Sequence, residues 1–219
     1  TAGPRLAELA KACRKASRCF MPAHPWRFRP SVRAVRDALD AGKLGKPGLL
    51  RIHRWDRSAG AEGVSAQLIP EIDLANWFFA SPPREIYALA RDDYLQVHLG
   101  FANGGMALID HAALPTDTGY YSLSLIGSTG AAYADDHRDL QLLLAGDTPS
   151  ALGKVEGILP VIGQLDEFAS AIRAARQPSV TMEATVAALD VLDAVTSAAR
   201  ERRVSRSSTS AGGSYELDG

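Results

Sequence analysis

The sequence predicts an α+β domain, and three observations carry the prediction. Apolar residues recur at helical spacing at both ends of the chain. Between those ends lie six strand-like segments, at 48–57, 85–92, 94–102, 106–113, 120–127 and 131–135. Asn103-Gly104-Gly105 joins two of the segments with residues that tolerate positive φ, a hairpin signal. At 219 residues with 46% hydrophobic content, the chain is long enough to bury one sizeable core.

Taken in order, residues 4–17 read as a first helix, with Leu6, Leu9, Ala10 and Cys13 on one side. His24-Pro25 and Arg29-Pro30 hold the backbone extended, because a proline disfavours the helical conformation in the residue before it. Ser31 is a candidate cap for a second helix over 32–42, with Val32, Val35, Ala38 and Leu39 inward. Gly42, Gly45 and Gly48 end it, and Lys46-Pro47 belongs to the turn that enters the first strand.

The stretch Gly63–Pro83, GVSAQLIPEIDLANWFFASPP, is a helix entrance followed by a helix that is apolar on most sides and therefore covered on most sides. Pro70 suits the first turn, where its missing N–H costs nothing. Glu71 and Asp73 place negative charge where the helix dipole favours it. Pro82 and Pro83 stop it. Gly127-Ser128-Thr129-Gly130 is a second hairpin signal, 139–145 a possible further strand, and 146–160 loop-like. Two helices close the chain, at about 161–176 and 181–202; Met182, Val186, Ala188, Leu189, Leu192, Val195 and Ala199 form the inward stripe of the second.

Alternation within the strands separates two faces. Leu95, Val97, Leu99 and Phe101 alternate with Tyr94, Gln96 and His98; Leu50 and Ile52 alternate with Arg51, His53, Trp55 and Arg57. One face suits a core against helices. The other is rich in His, Tyr, Trp and Arg, the composition of a protein–protein contact or of a half-wetted sheet face.

Charge narrows the function classes. With 24 basic and 25 acidic residues the net charge is −1, which points to neither nucleic acid nor a membrane surface. No apolar run reaches the roughly 20 residues that span a bilayer. Cys13 and Cys19 make no disulfide framework and no metal pattern, so a reducing cytoplasm is the expected compartment. There is no G-x-G-x-x-G, Walker loop, H-E-x-x-H or G-x-S-x-G.

Five segments in a fixed order resemble a known family: HPWRFRPSVRAVRDALDAGKLGKPGLLRIHRW, IPEIDLANWFFASPPREIYALA, FANGGMALID, LSLIGSTGAAY and LDEFASAIRAARQPSVTMEATVAALDVLDAVTSAARERRV. Together, over about residues 20–204, they resemble the C-terminal half of the glucose–fructose oxidoreductase/inositol dehydrogenase (Gfo/Idh/MocA) family. The resemblance implies a mixed, mostly antiparallel open sheet of about six strands, with helices on one face and an oligomer interface on the other. It divides the chain into 1–25, similar to the end of a Rossmann domain; 26–204, the C-terminal-like domain; and 205–219, a flexible tail.

Two departures from the family pattern shape the expected function. A Rossmann domain takes on the order of 100–150 residues and a glycine-rich first turn. Only about 25 residues precede the second domain here, and the family's catalytic Lys-Pro has no counterpart at Lys46. The family's helix entrance reads D-x-G-x-H-x-x-D. Setting its last Asp on Asp73 places Ala66, Leu68 and Pro70 at the first Asp, the Gly and the His. Neither alanine nor proline exchanges a proton.

The leading expectation is therefore a degenerate oxidoreductase-family subunit, a non-catalytic partner or scaffold that oligomerises through its sheet face with itself or with a full-length family member. One alternative is a fragment or subunit of an NAD(P)-dependent oxidoreductase acting on a sugar-like or cyclitol substrate. The other is a small-molecule binding domain. No catalytic, cofactor-binding or metal residue is expected in this chain, and NAD(P) enters only if another chain or a further N-terminal segment supplies a Rossmann domain. His24, Arg27, Arg51, His53, Asp73, Asn76 and His111 are the candidate pocket residues, of which Arg27 and Arg51 suit a carboxylate or phosphate. Trp55, Arg57, Tyr94, Gln96 and His98 are the candidate interface residues.

Overall fold

A computed structural model describes residues 3–57, 67–114, 119–135, 140–145, 150–151, 158–201 and 205–206. The described helices are α1 (Gly3–Lys15), α2 (Pro30–Asp40), α3 (Ile69–Phe79), α4 (Leu159–Arg173) and α5 (Met182–Glu201). The strands are β1 (Pro47–Arg57), β2 (Glu85–Arg91), β3 (Tyr94–Gly100), β4 (Met106–Leu114), β5 (Tyr120–Gly127), β6 (Gly130–Asp135), β7 (Leu140–Ala145), β8 (Ser150–Ala151) and β9 (Ser205–Arg206). A 3-10 turn at Pro25–Phe28 precedes α2.

All strands join one sheet, in the order β8-β7-β6-β5-β1-β4-β3-β2-β9. β1 and β4 run parallel, with Ile52 opposite Ile109; every other pairing is antiparallel. The six strands read from sequence form its body, so this is the mixed, mostly antiparallel α+β architecture. The possible strand at 139–145 is β7, paired to β6, and two two-residue strands, β8 and β9, form the edges.

The period of two decides which side chains form the core. Leu50 and Ile52 of β1, Val97 and Leu99 of β3, Ile109 of β4 and Leu123 and Leu125 of β5 are all buried. They meet Val32 and Val35 of α2, Ile72 and Ala75 of α3, and Ala188, Val191 and Val195 of α5 in one contiguous cluster. The intervening residues Arg51, His53, Tyr94, Gln96 and His98 face away from it, exposed or half-exposed.

Three local readings are corrected. Ser31 does not cap α2: the helix starts at Pro30 after an extended Arg29, so Ser31 lies inside its first turn and is buried. Asp73 falls outside the first turn of α3, where Glu71 is the acidic residue, and it meets ion partners instead of the helix dipole. The inward stripe of α5 keeps Met182, Ala188 and Val195 as read, but Thr185, Val191 and Ala198 complete it, while Val186, Leu189, Leu192 and Ala199 are only partly covered. Small residues on that line let the helix approach β2 and α3 closely. The tail reading for 205–219 lies outside the described residues except for β9.

The turns behave as their sequences require. Gly104 takes φ +82°, and the N–H of Gly105 donates to Asn103 Oδ1 at 3.1 Å. Gly127 closes the β5–β6 hairpin, where a Cβ would stand 1.9 Å from the Leu44 carbonyl oxygen. Because the obstacle is backbone, Gly127→Ala should lower stability by about 1–3 kcal/mol in denaturant unfolding, an overpacking cost.

Candidate functional site

The entrance of α3 gathers two groups of buried ionisable side chains. In the first, Arg27 grips Asp73 with both arms, Nε to Oδ2 at 2.7 Å and Nη2 to Oδ1 at 2.6 Å. His24 Nδ1 lies 3.1 Å from the same Oδ2, and its Nε2 is 2.9 Å from Thr185 Oγ1 on α5. The 3-10 turn makes this possible by carrying Arg27 inward, and Trp77 lies under the guanidinium at 5.4 Å. His24, Arg27 and Asp73 are each at most 6% exposed. Burial by itself would raise the Asp73 pKa, but the hydrogen bonds from His24 and Arg27 outweigh it and hold the carboxyl below its ordinary value.

The second group surrounds Glu71, which is fully buried. Arg54 Nη1 donates to Glu71 Oε1 at 2.8 Å and to the carbonyl of Gln67 at 3.1 Å, and Arg54 also pairs with Asp56. His111 Nδ1 stands 3.9 Å from the same Glu71 oxygen, too far for a hydrogen bond, and both its ring nitrogens are buried without a partner. Burial raises the Glu71 pKa, with Arg54 opposing. Burial and then the Arg54 charge pull His111 down to about 4, so it is neutral at neutral pH.

The sheet's outer face holds a third, separate group. Asp110 accepts from Gln96 Nε2 at 2.8 Å and lies 2.9 Å from His53 Nδ1; Arg51 is 4.0 Å away. Trp55 stacks on Tyr120 with centroids 4.1 Å apart, and the hydroxyls of Tyr120 and Tyr133 both donate to Asp135 Oδ2, at 2.9 and 2.8 Å. Burial, and then the bond to Asp135, raise the Tyr133 pKa. Trp55, Tyr94 and Ala112 share one row of the sheet and wall an open bowl of about 340 Å³ with His53, Gln96 and Arg91. His98 meets Tyr87 edge-on at 5.8 Å.

The seven candidate pocket residues therefore do not form one pocket. His24, Arg27 and Asp73 converge, but as a closed ion cluster. Asn76 is half-buried, with its amide atoms unpartnered. His111 belongs with Glu71, while Arg51 and His53 point to the opposite side of the sheet. Trp55, Tyr94, Gln96 and His98 do share the outer face. The Arg57 side chain and Ala66 lie outside the described residues.

Sequence reading missed Arg54, Glu71, Asp110 and Thr185. Arg54 was detectable: it follows Leu50 and Ile52 at a spacing of two, so alternation puts a charge on the core face and demands a buried partner. Thr185 is 161 residues from His24, and no local pattern connects them.

Among the described residues no cluster of His, Cys, Asp or Glu has the geometry to hold a metal, and no helix is long and apolar enough to cross a membrane. The sequence contains no G-x-G-x-x-G turn of the kind that receives a dinucleotide pyrophosphate.

An open mixed sheet with helices on one side and an apolar helix set beside its central strands is an α+β domain of the open, one-side-covered class. The family described as "Oxidoreductase family, C-terminal alpha/beta domain" matches residues 36–206. The chain belongs to this Gfo/Idh/MocA oxidoreductase family. A curated relative, the uncharacterized oxidoreductase YrbE of Bacillus subtilis (strain 168), is 26% identical over 133 residues, which is 51% of this chain but only 39% of the relative. Among solved structures, a putative myo-inositol dehydrogenase from Sinorhizobium meliloti 1021 superposes with a TM-score of 0.79 at 22% identity, over 94% of this chain and 70% of the other. An aldose–aldose oxidoreductase from Caulobacter crescentus gives 0.77 at 20% identity, over 93% and 68%.

Proposed function

We propose that this chain is the α+β body of an oxidoreductase assembly and that it performs no dehydrogenation by itself, contributing instead a sheet face on which it assembles with itself or with a longer family member. The observation that carries this reading is the state of Asp73. Both carboxylate oxygens are occupied, by Arg27 and His24, and both ring nitrogens of His24 are engaged. A general base must reach the proton it removes; this one is locked, and the turn above it presents Pro70. The outer face supports the assembly half of the reading, with aromatic, His and Arg side chains where a bare solvated sheet would carry Lys and Glu.

The chain is expected to give no nicotinamide reduction with NAD⁺ or NADP⁺ across a panel of polyols and aldoses. It is also expected to elute with a longer homologue in size-exclusion with light scattering, and Tyr94→Glu should abolish that co-elution. Turnover by the isolated chain would sink the non-catalytic reading; failure to associate would sink the assembly reading.

A second reading is favoured by coverage. The curated relative extends far beyond the matched 39% of its length. On this reading the chain is part of an NAD(P)-dependent oxidoreductase for a sugar-like or cyclitol substrate, localised to the cytoplasm. Restored turnover on addition of a nucleotide-binding domain from a longer homologue would favour it.

A further inference from the structure

The bowl on the outer face of the sheet is built from two adjoining rows of the strand register. One row runs Trp55, Ala112, Tyr94 and Arg91 across β1, β4, β3 and β2; the next runs His53, Asp110 and Gln96. Trp55 and Tyr94 stand two strand spacings apart, about 10 Å, with only the methyl group of Ala112 between them. The indole is braced. Tyr120 stacks on it from the β5 side at 4.1 Å, and the Tyr120 hydroxyl is itself tied to Asp135 at 2.9 Å. The bowl lies on the other side of β1, so the first row offers a fixed aromatic wall to whatever enters.

The second row is hydrogen-bonded within itself. Gln96 Nε2 donates to Asp110 Oδ1 at 2.8 Å, and His53 Nδ1 lies 2.9 Å from Oδ2, so both carboxylate oxygens are engaged. With its Nδ1 proton turned to Asp110, a neutral His53 ring keeps Nε2 as an acceptor, and Gln96 keeps its amide oxygen.

We propose that this bowl is a binding site for a small phenol, a flat, uncharged ring that stacks on Trp55 and Tyr94 and gives its O–H to His53 Nε2 or Gln96 Oε1. Charge selects against the alternatives. An anion meets the Asp110 carboxylate, while a cation meets Arg91, with Arg51 adding the same sign 4.0 Å from Asp110. The two acceptors call for a hydroxyl, and the two aromatic walls favour a planar ring over a puckered polyol. A volume of about 340 Å³ lies at the small end of the range for ligand sites. The site is complete within one chain, so it does not depend on the assembly proposed above.

Titration of the full 219-residue chain with 2-naphthol, followed by the ligand's own fluorescence, tests this. The expected result is saturable binding at one site, weakened about tenfold or more by Tyr94→Ala. Tyr94 is 59% exposed, so the replacement leaves the fold intact, which circular dichroism checks. 2-Methoxynaphthalene keeps the rings and loses the O–H, and should bind about three- to tenfold more weakly. His53→Leu with Gln96→Leu should remove that preference, and naphthalene-2-carboxylate should not compete. Light scattering in the same samples reads the assembly separately. The absence of saturable binding overturns the proposal, as does equal affinity for the methoxy analogue or binding that Tyr94→Ala leaves unchanged. Displacement of 2-naphthol by an equal concentration of inositol overturns it too, since the bowl would then take polyols.

Discussion

Arg27→Ala is expected to cost about 3–5 kcal/mol of stability at neutral pH, among the largest losses for any single change in the molecule. The loss is large because the variant leaves Asp73, 1% exposed, with only His24 for a partner. The isolated pair is not worth that much, since burying two charges offsets most of their attraction. Arg27→Met with Asp73→Leu should therefore recover most of the deficit, and urea denaturation of the four proteins in the cycle measures it. If the double variant is as unstable as Arg27→Ala, the cluster is more than a paired charge in a closed space. In the parent, the folded Asp73 pKa lies below its ordinary 3.8. Its contribution is thus fully present above that value and is lost as pH falls through the lower folded value.

Arg54→Met is expected to cost a similar amount, about 3–5 kcal/mol at pH 8. Its dependence on pH should distinguish it. Glu71 is a carboxyl whose folded pKa is raised above 4.5 even with Arg54 present. A raised carboxyl contributes stability below the unfolded value and loses it as pH rises through the folded value. Removing Arg54 takes away the charge that opposes the rise, so Glu71 can be accommodated only as the neutral acid. The deficit should then shrink by at least about 1 kcal/mol between pH 8 and pH 5, as Glu71 takes up its proton. Glu71→Gln in the Arg54→Met background should remove that pH dependence. A deficit that stays flat from pH 5 to pH 8 would show that Glu71 is not the group responding.

Much of the fold is legible in single stretches. The strand alternation at 50–57 and 94–101 places Leu50, Ile52, Val97 and Leu99 inward, where they lie, because a pleated strand leaves each side chain only two directions. Asn103-Gly104-Gly105 makes its turn for a reason confined to three residues. The α5 stripe is less well placed. Ala188 lies inward as read, but Leu189 and Leu192, the more hydrophobic choice, are only partly covered, and Thr185 and Ala198 take the buried line where the helix sits against β2 and α3. Ser31 misleads for a similar reason: capping propensity is local, and the neighbouring Pro30 already occupies the helix start.

The candidate site was only half legible. His24, Arg27 and Asp73 were each identifiable as unusual, and they do meet. Whether they meet as an open catalytic group or as a closed ion cluster depends on how the 3-10 turn, α3 and α5 come together. Arg51 and His53 were grouped with them on chemistry alone, although the pleat sends them to the opposite face, where Asp110 holds His53.

By itself the sequence determined the α+β class, the two faces of the sheet, the family, and the absence of proton-exchanging side chains at positions 66 and 70. These follow from residue identity and from spacings of two, three and four, which act within one element. Only the tertiary structure decided that Asp73 is locked by Arg27, that Glu71 needs Arg54, and that Trp55 and Tyr94 wall one bowl. Each of these depends on groups brought together from distant parts of the chain, and burial, which sets the strength of every such charge interaction, exists only once the layers have packed.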